Sequence, residues 1–412
     1  MKILITHVYS EQNAGDAAIL SVMLKQISNT FPHAKITCTT AEKTMASKHQ
    51  IHSFLYLCLY SSKNNLIKIF KTLYILMTST IWAYTYHYLG VKSYFILSKE
   101  LKIVCRDFAE TDLILPVGGG YINGKNDIKS LITLAIQLHT LKIGKLLKKK
   151  IILYPQSIGP FGNKLQMNLA SNILKQTDAI IAREDETIAL LKQMGIIKNI
   201  IYKSVDAAFI FNDSLKKSVI EKRTKKMIGV TVRNWLPEAQ QTIFEKEVAA
   251  FCKYLIDKKH YQVFLIPQVT SPEHNDDDRI PSKRIKNILY DETNLILLEK
   301  SYTAAELKGI YKQMNFLIGT RMHSVIFALT ENVPCIAIEY EHKTRGIMRD
   351  LKLENFVIKI EDVTAKKLIG LFNNLEKNRM LYLNTLTKSL IIYQHKAREA
   401  GKIVKDIYQS SK

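Results

Sequence analysis

The stretch Gly319-Thr320-Arg321-Met322-His323 sets a guanidinium and an imidazole on either side of one methionine, where the apolar run Phe316-Leu317-Ile318 gives way to an apolar helical pattern. Amides at the start of a helix attract anions, and a guanidinium adds a planar fork that fits carboxylate or phosphate oxygens. An imidazole beside them can supply or relay a proton, so Arg321 and His323 are the catalytic candidates. Arg233 ends a second apolar run, Met227 to Val232, and His342 and Lys343 follow a third, Val333 to Ile338. Taken singly, Arg233 or Lys343 is an ordinary surface charge. Their shared position after strand-like runs is what points to one pocket for a phosphate and a carboxylate.

The first half of the chain offers other candidates. Gly118-Gly119-Gly120 follows the apolar run Thr111 to Val117 and permits close backbone approach, so its amides could hold a phosphate or a sugar hydroxyl; a tight packing turn explains the run equally well. Asn13-Ala14-Gly15-Asp16 opens the first helical pattern, where Asp16 is suited to a cap or to the positive helix end. Arg183 follows the run Asp178 to Ala182. None of these has GxGxxG spacing and the chain contains no GxxxxGK[ST], so dinucleotide and P-loop readings have no support.

Such residues need elements to position them. Strand-like runs without alternation, at 2–8, 111–117, 150–154, 178–182, 227–232, 261–266, 295–298, 316–319 and 333–338, are separated by helical periodicity, the pattern of parallel sheets covered on both faces. Thr303 and Glu306 have capping-box spacing at the start of one such helix. A chain of 412 residues exceeds what one core usually holds. Two α/β domains are therefore expected: residues 1–211, with an aromatic, basic helical insertion at about 52–105; a linker at 212–226, where apolar periodicity lapses; residues 227–363, carrying the anion site; and C-terminal helices at 364–412.

Composition narrows the function. With 47% hydrophobic and 23% charged residues the chain is globular rather than disordered. Lys and Arg number 59 against 37 Asp and Glu, and the net +22 implies acidic partners such as nucleic acid, phosphorylated small molecules or an anionic membrane face. No zinc-finger spacing or RNA-binding aromatic signature accompanies that charge, so no nucleic-acid partner is expected. Five scattered cysteines with no CxxC pair suit a reducing compartment and argue against a disulfide framework or a cysteine zinc site. The amino terminus lacks a secretory pattern and reads as a first strand of a cytoplasmic protein. Thr72 to Val91 carries no Asp, Glu, Lys or Arg, but its threonines, Ser79 and His87 weaken a membrane span. The readings left open are an insertion or helical hairpin packed on the domain, peripheral attachment through aromatic residues flanked by Lys63, Lys68, Lys71 and Lys92, and a true span.

Six segments occur together in an informative order: Asn13-Ala14-Gly15-Asp16, Val117-Gly118-Gly119-Gly120-Tyr121, Pro155-Gln156-Ser157-Ile158-Gly159-Pro160-Phe161, Ala182-Arg183-Glu184-Asp185, Asp206-Ala207-Ala208-Phe209 and Gly319-Thr320-Arg321-Met322-His323-Ser324. With Ala337 to Lys343, the series resembles the polysaccharide pyruvyl transferase family over roughly residues 1 to 345, the aromatic insertion apart. The resemblance implies two Rossmann-like domains facing a cleft, similar to the B-type glycosyltransferases. It implies transfer of a pyruvyl group from phosphoenolpyruvate onto sugar hydroxyls as a ketal, with a saccharide or lipid-linked oligosaccharide as acceptor and no cofactor or metal. The family's RxH motif falls on Arg321 and His323. Candidate binding residues are Arg233, Lys343, His342, Asn13, Asp16, Gly118, Gly119, Gly120 and Arg183. The expected location is the cytoplasm, at the inner face of the cell membrane if the aromatic segment attaches there. A nucleotide-sugar glycosyltransferase and an inactive family member are the alternatives.

Overall fold

An unbroken apolar run can be buried on both faces only if helices cover both sides of its sheet. The computed structural model describes residues 1–10, 12–42, 50–91, 94–197, 200–213, 220, 225–271 and 276–410, without the side chain of His342. Most of the expected linker, 214–219 and 221–224, lies outside the described residues, as does Lys92. Contacts divide the chain into two compact units. One comprises Met1–Ser10, Ile19–Ala207 and Lys396–Lys412, the other Glu11–Ala18 and Ala208–His395. They differ from the continuous stretches expected from sequence, because the loop that opens the first helix groups with the second unit and the end of the tail with the first.

The first unit holds β1 (Lys2–Val8), β2 (Lys35–Thr40), β3 (Gln50–His52), β4 (Leu113–Pro116), β5 (Gly119–Gly124), β6 (Lys150–Phe161), β7 (Ala179–Ala182) and β8 (Ile201–Lys203). Their order is β3-β2-β1-β4-β6-β7-β8, with β5 on β6, and all the pairings are parallel. Every residue of β4 and β7 is buried, and so is β1 beyond Lys2, as two-sided cover requires. The covering helices are α1 (Ala14–Thr30, of which Ile19 onward belongs to this unit), α2 (Asn65–Tyr88), α3 (Lys99–Glu110), α4 (Ile128–Leu146), α5 (Lys164–Leu174) and α6 (Asp185–Gln193). The aromatic insertion thus becomes a π-helical turn, Tyr56–Tyr60, followed by α2 and α3. Asn64 caps α2 by accepting from the amides of Leu66 and Ile67, and Ile75 and Trp82 enter the core.

In the second unit β9 (Met227–Thr231), β10 (Gln262–Leu265), β13 (Leu295–Leu297), β14 (Phe316–Gly319), β15 (Cys335–Glu339) and β16 (Val357–Lys359) form a parallel sheet of order β13-β10-β9-β14-β15-β16. A short antiparallel pair, β11 (Thr270–Ser271) with β12 (Asp276–Asp277), stands apart from it. Helices α7 (Glu238–Asp257), α8 (Arg279–Ile288), α9 (Ala304–Lys312), α10 (Met322–Thr330), α11 (His342–Asp350) and α12 (Ala365–Lys377) follow, and α13 (Arg379–Ser410) ends the described chain. The capping box at α9 forms as its spacing predicts, with Thr303 and Glu306 each bonding the other's amide.

Two buried histidines give the first unit an acid response. His7, at the end of β1 with φ 65°, has Nε2 3.0 Å from the Gln137 carbonyl and Nδ1 2.9 Å from the Thr6 hydroxyl. His139 on α4 has Nε2 2.8 Å from the Ser79 hydroxyl. Burial lowers His7 to about 4 against the raising effect of the Gln137 carbonyl, and burial, aided by Lys142, lowers His139 to about 3. Both pKa values are depressed by folding, so this contribution to stability is complete above the unfolded value of about 6.5 and is lost as pH falls toward the folded values. The unfolding temperature should therefore drop between about pH 6.5 and pH 4, and less steeply in His139→Gln. Calorimetry across that range checks this, and equal slopes in the two proteins would assign the acid response to other groups.

Candidate functional site

β9 and β14 lie side by side in parallel, with Gly319 opposite Thr231, so both chains leave the sheet at the same carboxyl edge. That register brings Arg233 and the Thr320-Arg321-Met322-His323 stretch of the second unit to one end. The junction is pinned by hydroxyls. Thr231 Oγ1 accepts from the Thr320 amide at 2.9 Å and lies 3.0 Å from Ser324 Oγ, which donates to the Arg321 carbonyl at 2.6 Å. On α7, Gln241 accepts from the amides of Trp235 and Leu236 and donates to the Arg233 carbonyl, which shapes the loop after β9.

Arg321 immediately precedes α10, and its side chain is 7% exposed. Its Nε donates to both oxygens of Asp278, at 3.1 and 3.0 Å, and Nη2 to Asp278 Oδ1 at 2.6 Å. Nη1 donates to Asp276 Oδ2 at 3.1 Å, and Nη2 also meets Asp276 Oδ1. Asp278 further accepts from the amides of Gln268 and Val269. Burial opposes the charge on Arg321, but the Asp278 and Asp276 carboxylates outweigh it and raise its pKa. The guanidinium expected to be open for an anion is thus already forked between two carboxylates, because a cation at this depth needs counter-charge.

Arg233 reaches the same place from the neighbouring strand. Its Nη2 lies 3.5 Å from Asp276 Oδ2, and its guanidinium stacks 4.9 Å from the Trp235 ring and 4.4 Å from the Tyr340 ring. Two guanidinia therefore converge on the one-third-exposed carboxylate of Asp276. Around them Arg233 Nε, Gln268 Nε2, Ser271 Oγ and Thr320 Oγ1 are buried with no hydrogen-bond partner among the described residues, which leaves bonding capacity for a ligand. Lys343, the second residue of α11, has Nζ 3.7 Å from Glu341, while Glu339 is taken up by Arg345 at 2.6 Å. The side chain of His342 lies outside the described residues.

His323 sits in the first turn of α10 with its ring against the backbone of Gly15: a Cβ there would fall 1.9 Å from His323 Nδ1. The Gly15 amide donates to Asn13 Oδ1 at 3.1 Å, and Asn13 Nδ2 donates to Asp16 Oδ2 at 2.8 Å. Asn13 also bridges Val269 antiparallel, and Thr270 donates its amide to the Gln12 carbonyl. The Asn13–Asp16 motif and the Arg321–His323 motif, far apart in sequence, thus belong to one cluster of the second unit. Asp16 bonds Asn13 at the start of α1, in keeping with a local structural role.

The remaining candidates lie in the first unit. Gly119 and Gly120 begin β5 rather than an open loop, and a Cβ on Gly118 would lie 2.7 Å from the Pro155 carbonyl, so close packing against β6 accounts for this glycine. β6 itself runs on to Phe161, beyond the strand-like run 150–154 read from the sequence. Arg183 is buried, donating from Nε to Ser157 Oγ at 2.7 Å and pairing with Asp206. Its guanidinium is held by Ser157 and Asp206, as that of Arg321 is held by Asp278 and Asp276. Sequence reasoning missed Asp276, Asp278, Gln268, Trp235 and Tyr340. The run Asp276-Asp277-Asp278 was visible as a cluster of charge, but no periodicity tied it to Arg321.

Residues 13–342 match the polysaccharide pyruvyl transferase family. The amylovoran biosynthesis protein AmsJ of Erwinia amylovora is 23% identical over 246 residues, which are 57% of this chain and 59% of that protein, so the chain spans less than two thirds of this curated relative. Among solved structures, a UDP-GlcNAc 2-epimerase from Neisseria meningitidis superposes with a TM-score of 0.62 at 13% identity, covering 100% of both chains. A glycosyltransferase from Rickettsia africae gives 0.56 at 10% identity, covering 100% of this chain and 99% of that one. Identities this low speak to fold, and they agree with two Rossmann-like α/β units of the kind found in B-type glycosyltransferases. With its matched segment embracing both the Asn13–Asp16 and the Arg321–His323 motifs, the chain belongs to the polysaccharide pyruvyl transferase family.

Proposed function

We propose that this protein transfers the pyruvyl group of phosphoenolpyruvate onto two hydroxyls of a sugar in a cell-surface polysaccharide or its lipid-linked precursor, forming a ketal and releasing phosphate, in the cytoplasm at the inner face of the cell membrane. The observation that carries this reading is the convergence of Arg321 and Arg233 on the Asp276 carboxylate, in the second unit that also holds His323. A carboxylate of the chain held by two guanidinia occupies a place built for an anion. On this reading Asp276 is a tethered stand-in that the donor's carboxylate or phosphate displaces, while Asp278, fully buried, keeps Arg321 in position.

The chemistry asks for few groups. One sugar hydroxyl adds to C2 of the donor while C3 takes a proton and becomes a methyl group. The second hydroxyl then replaces phosphate at C2, and its proton leaves with the phosphate. His323 supplies or relays the proton to C3, and Arg233, Arg321 and Lys343 offset the charge that grows on the leaving group. Gly15 serves by having no side chain, since any Cβ would occupy the space of the His323 ring.

Three substitutions test the assignment, each on purified protein with phosphoenolpyruvate and a panel of reducing-end-labelled saccharides. His323→Gln should keep donor binding and lose about 10²–10⁴-fold in turnover; near-normal single-turnover rates in the folded variant would remove His323 from proton transfer. Asp276→Asn should bind phosphoenolpyruvate more tightly than the parent protein, whereas weaker binding would show that Asp276 supports the site rather than filling it. Gly15→Ala should reproduce the turnover defect of His323→Gln with thermal stability far less affected than activity. Full activity in Gly15→Ala would break the proposed link between the two motifs.

A further inference from the structure

Helix α2 is apolar on its outer side as well as on the inner side that carries Ile75, Trp82 and Ala83. Leu66, Phe70, Leu73, Met77, Ile81 and Tyr84 recur at helical spacing and are each at least half exposed, whereas the buried stripe of the same helix includes Thr72 and Ser79. A helix whose outer partner is water carries polar residues on its outer stripe. The exposed stripe runs about 27 Å along the axis, beyond what an isolated surface residue explains.

The neighbouring helices extend this surface. α4 packs against α2, and α5 against α4. Ile128 and Ile132 on α4 and Leu165 and Leu169 on α5 are exposed. Between the three helices lies an open, largely apolar groove of about 670 Å³, walled on the α2 side by Leu76, Met77 and Ile81. α2, α4 and α5 contain no aspartate or glutamate, and their charges are Lys68, Lys71, Lys129, Lys142, Lys145 and Lys164. Nearby acids are already engaged: Asp127 caps α4, and Asp178 pairs with Lys145. At the far end of α2, Lys148 Nζ lies 5.5 Å from the centre of the exposed Tyr88 ring.

We infer that the outer face of α2, α4 and α5 is a docking surface for an anionic lipid bilayer, with α2 lying in the plane of the interface. The apolar stripe enters the acyl boundary and the lysines meet the headgroups. Charge selects the occupant. A second copy of the chain placing this face against itself would bring lysines toward lysines, while anionic headgroups complement them. Packing selects the orientation. The inner stripe of α2 is fixed in the core through Ile75 and Trp82 and lies beside His139 through Ser79, so the helix has lipid available to one side only and lies on the membrane rather than crossing it. This surface is independent of the pyruvyl-transfer reading, which rests on residues of the second unit.

The test uses the full chain and sedimentation with vesicles of phosphatidylethanolamine and phosphatidylglycerol, against vesicles of phosphatidylcholine alone. Binding to the anionic vesicles is expected, weakened by salt. The exposed double substitution Phe70→Ser with Met77→Ser should lower it about tenfold or more, and so should Lys68→Glu with Lys71→Glu, while thermal unfolding of both variants stays at the parent value. A single pair failing to fold leaves the other to decide. Equal binding by parent and folded variants, or no binding by the parent, overturns the inference. So does a parent dimer that the apolar variant converts to monomer without change in vesicle binding, which would give the face to a second copy. Retention of the protein in bilayers after alkaline extraction would replace surface docking with a span.

Discussion

A guanidinium buried at the junction of a strand and a helix must be neutralised where it stands, and much of the second unit's functional end follows from that one requirement. Arg321 is matched by Asp278 beneath it and Asp276 beside it. Removing one partner of such a buried pair typically costs about 3–5 kcal/mol. Asp278 in turn accepts from the amides of Gln268 and Val269, which fixes the chain leaving β10, and Asn13 bridges Val269. The ion pair therefore sets the path of three segments at once, and the His323 ring and the Gly15 backbone meet because these segments are held.

The same physics explains why the fold was more legible than the site. Strands such as 2–8 and 316–319 declare themselves through local apolar runs whose ends coincide with polar or glycine residues, and their observed bounds are those read from the sequence. The counter-charge of an arginine is not local. Asp276 and Asp278 lie in a stretch without strand or helix periodicity, and nothing in their spacing names Arg321 as their partner. Arg183 shows the same non-local pairing: its partners Asp206 and Ser157 lie 23 and 26 residues away and nothing in their spacing names them. Glycine runs carry a similar ambiguity. Gly118 is demanded by the Pro155 carbonyl and Gly15 by a histidine ring, and only the second of these bears on the proposed chemistry.

The aromatic insertion illustrates what composition can and cannot resolve. Its charge-free stretch is compatible with a span, a packed hairpin or surface attachment, because all three need apolar residues at helical spacing. The deciding information is which stripe the fold consumes. Here the fold consumes the stripe Thr72, Ile75, Ser79, Trp82 and Ala83 and leaves leucine, phenylalanine and methionine outside. The absence of acids from α4 and α5 was likewise present in the sequence, but it acquires meaning only once those helices are known to be neighbours of α2.

On the proposed reading, a tethered carboxylate at the anion site also bears on selectivity. Asp276 is held close to two guanidinia by the chain itself, so an incoming ligand competes with a group of high effective concentration. A ligand bearing one weakly held charge gains little from exchanging places with it. Phosphoenolpyruvate bears a carboxylate and a phosphate on the same carbon, C2, and can engage both Arg321 and Arg233 while bonding Arg233 Nε and the Thr320 hydroxyl, which have no partner among the described residues. Displacing Asp276 then returns its carboxylate to solvent, which is tolerable because the side chain is already one-third exposed, whereas Asp278 at 1% exposure has nowhere to go. The two acids around one arginine are thereby suited to different tasks, one to yield to the donor and the other to keep the guanidinium aimed while it does.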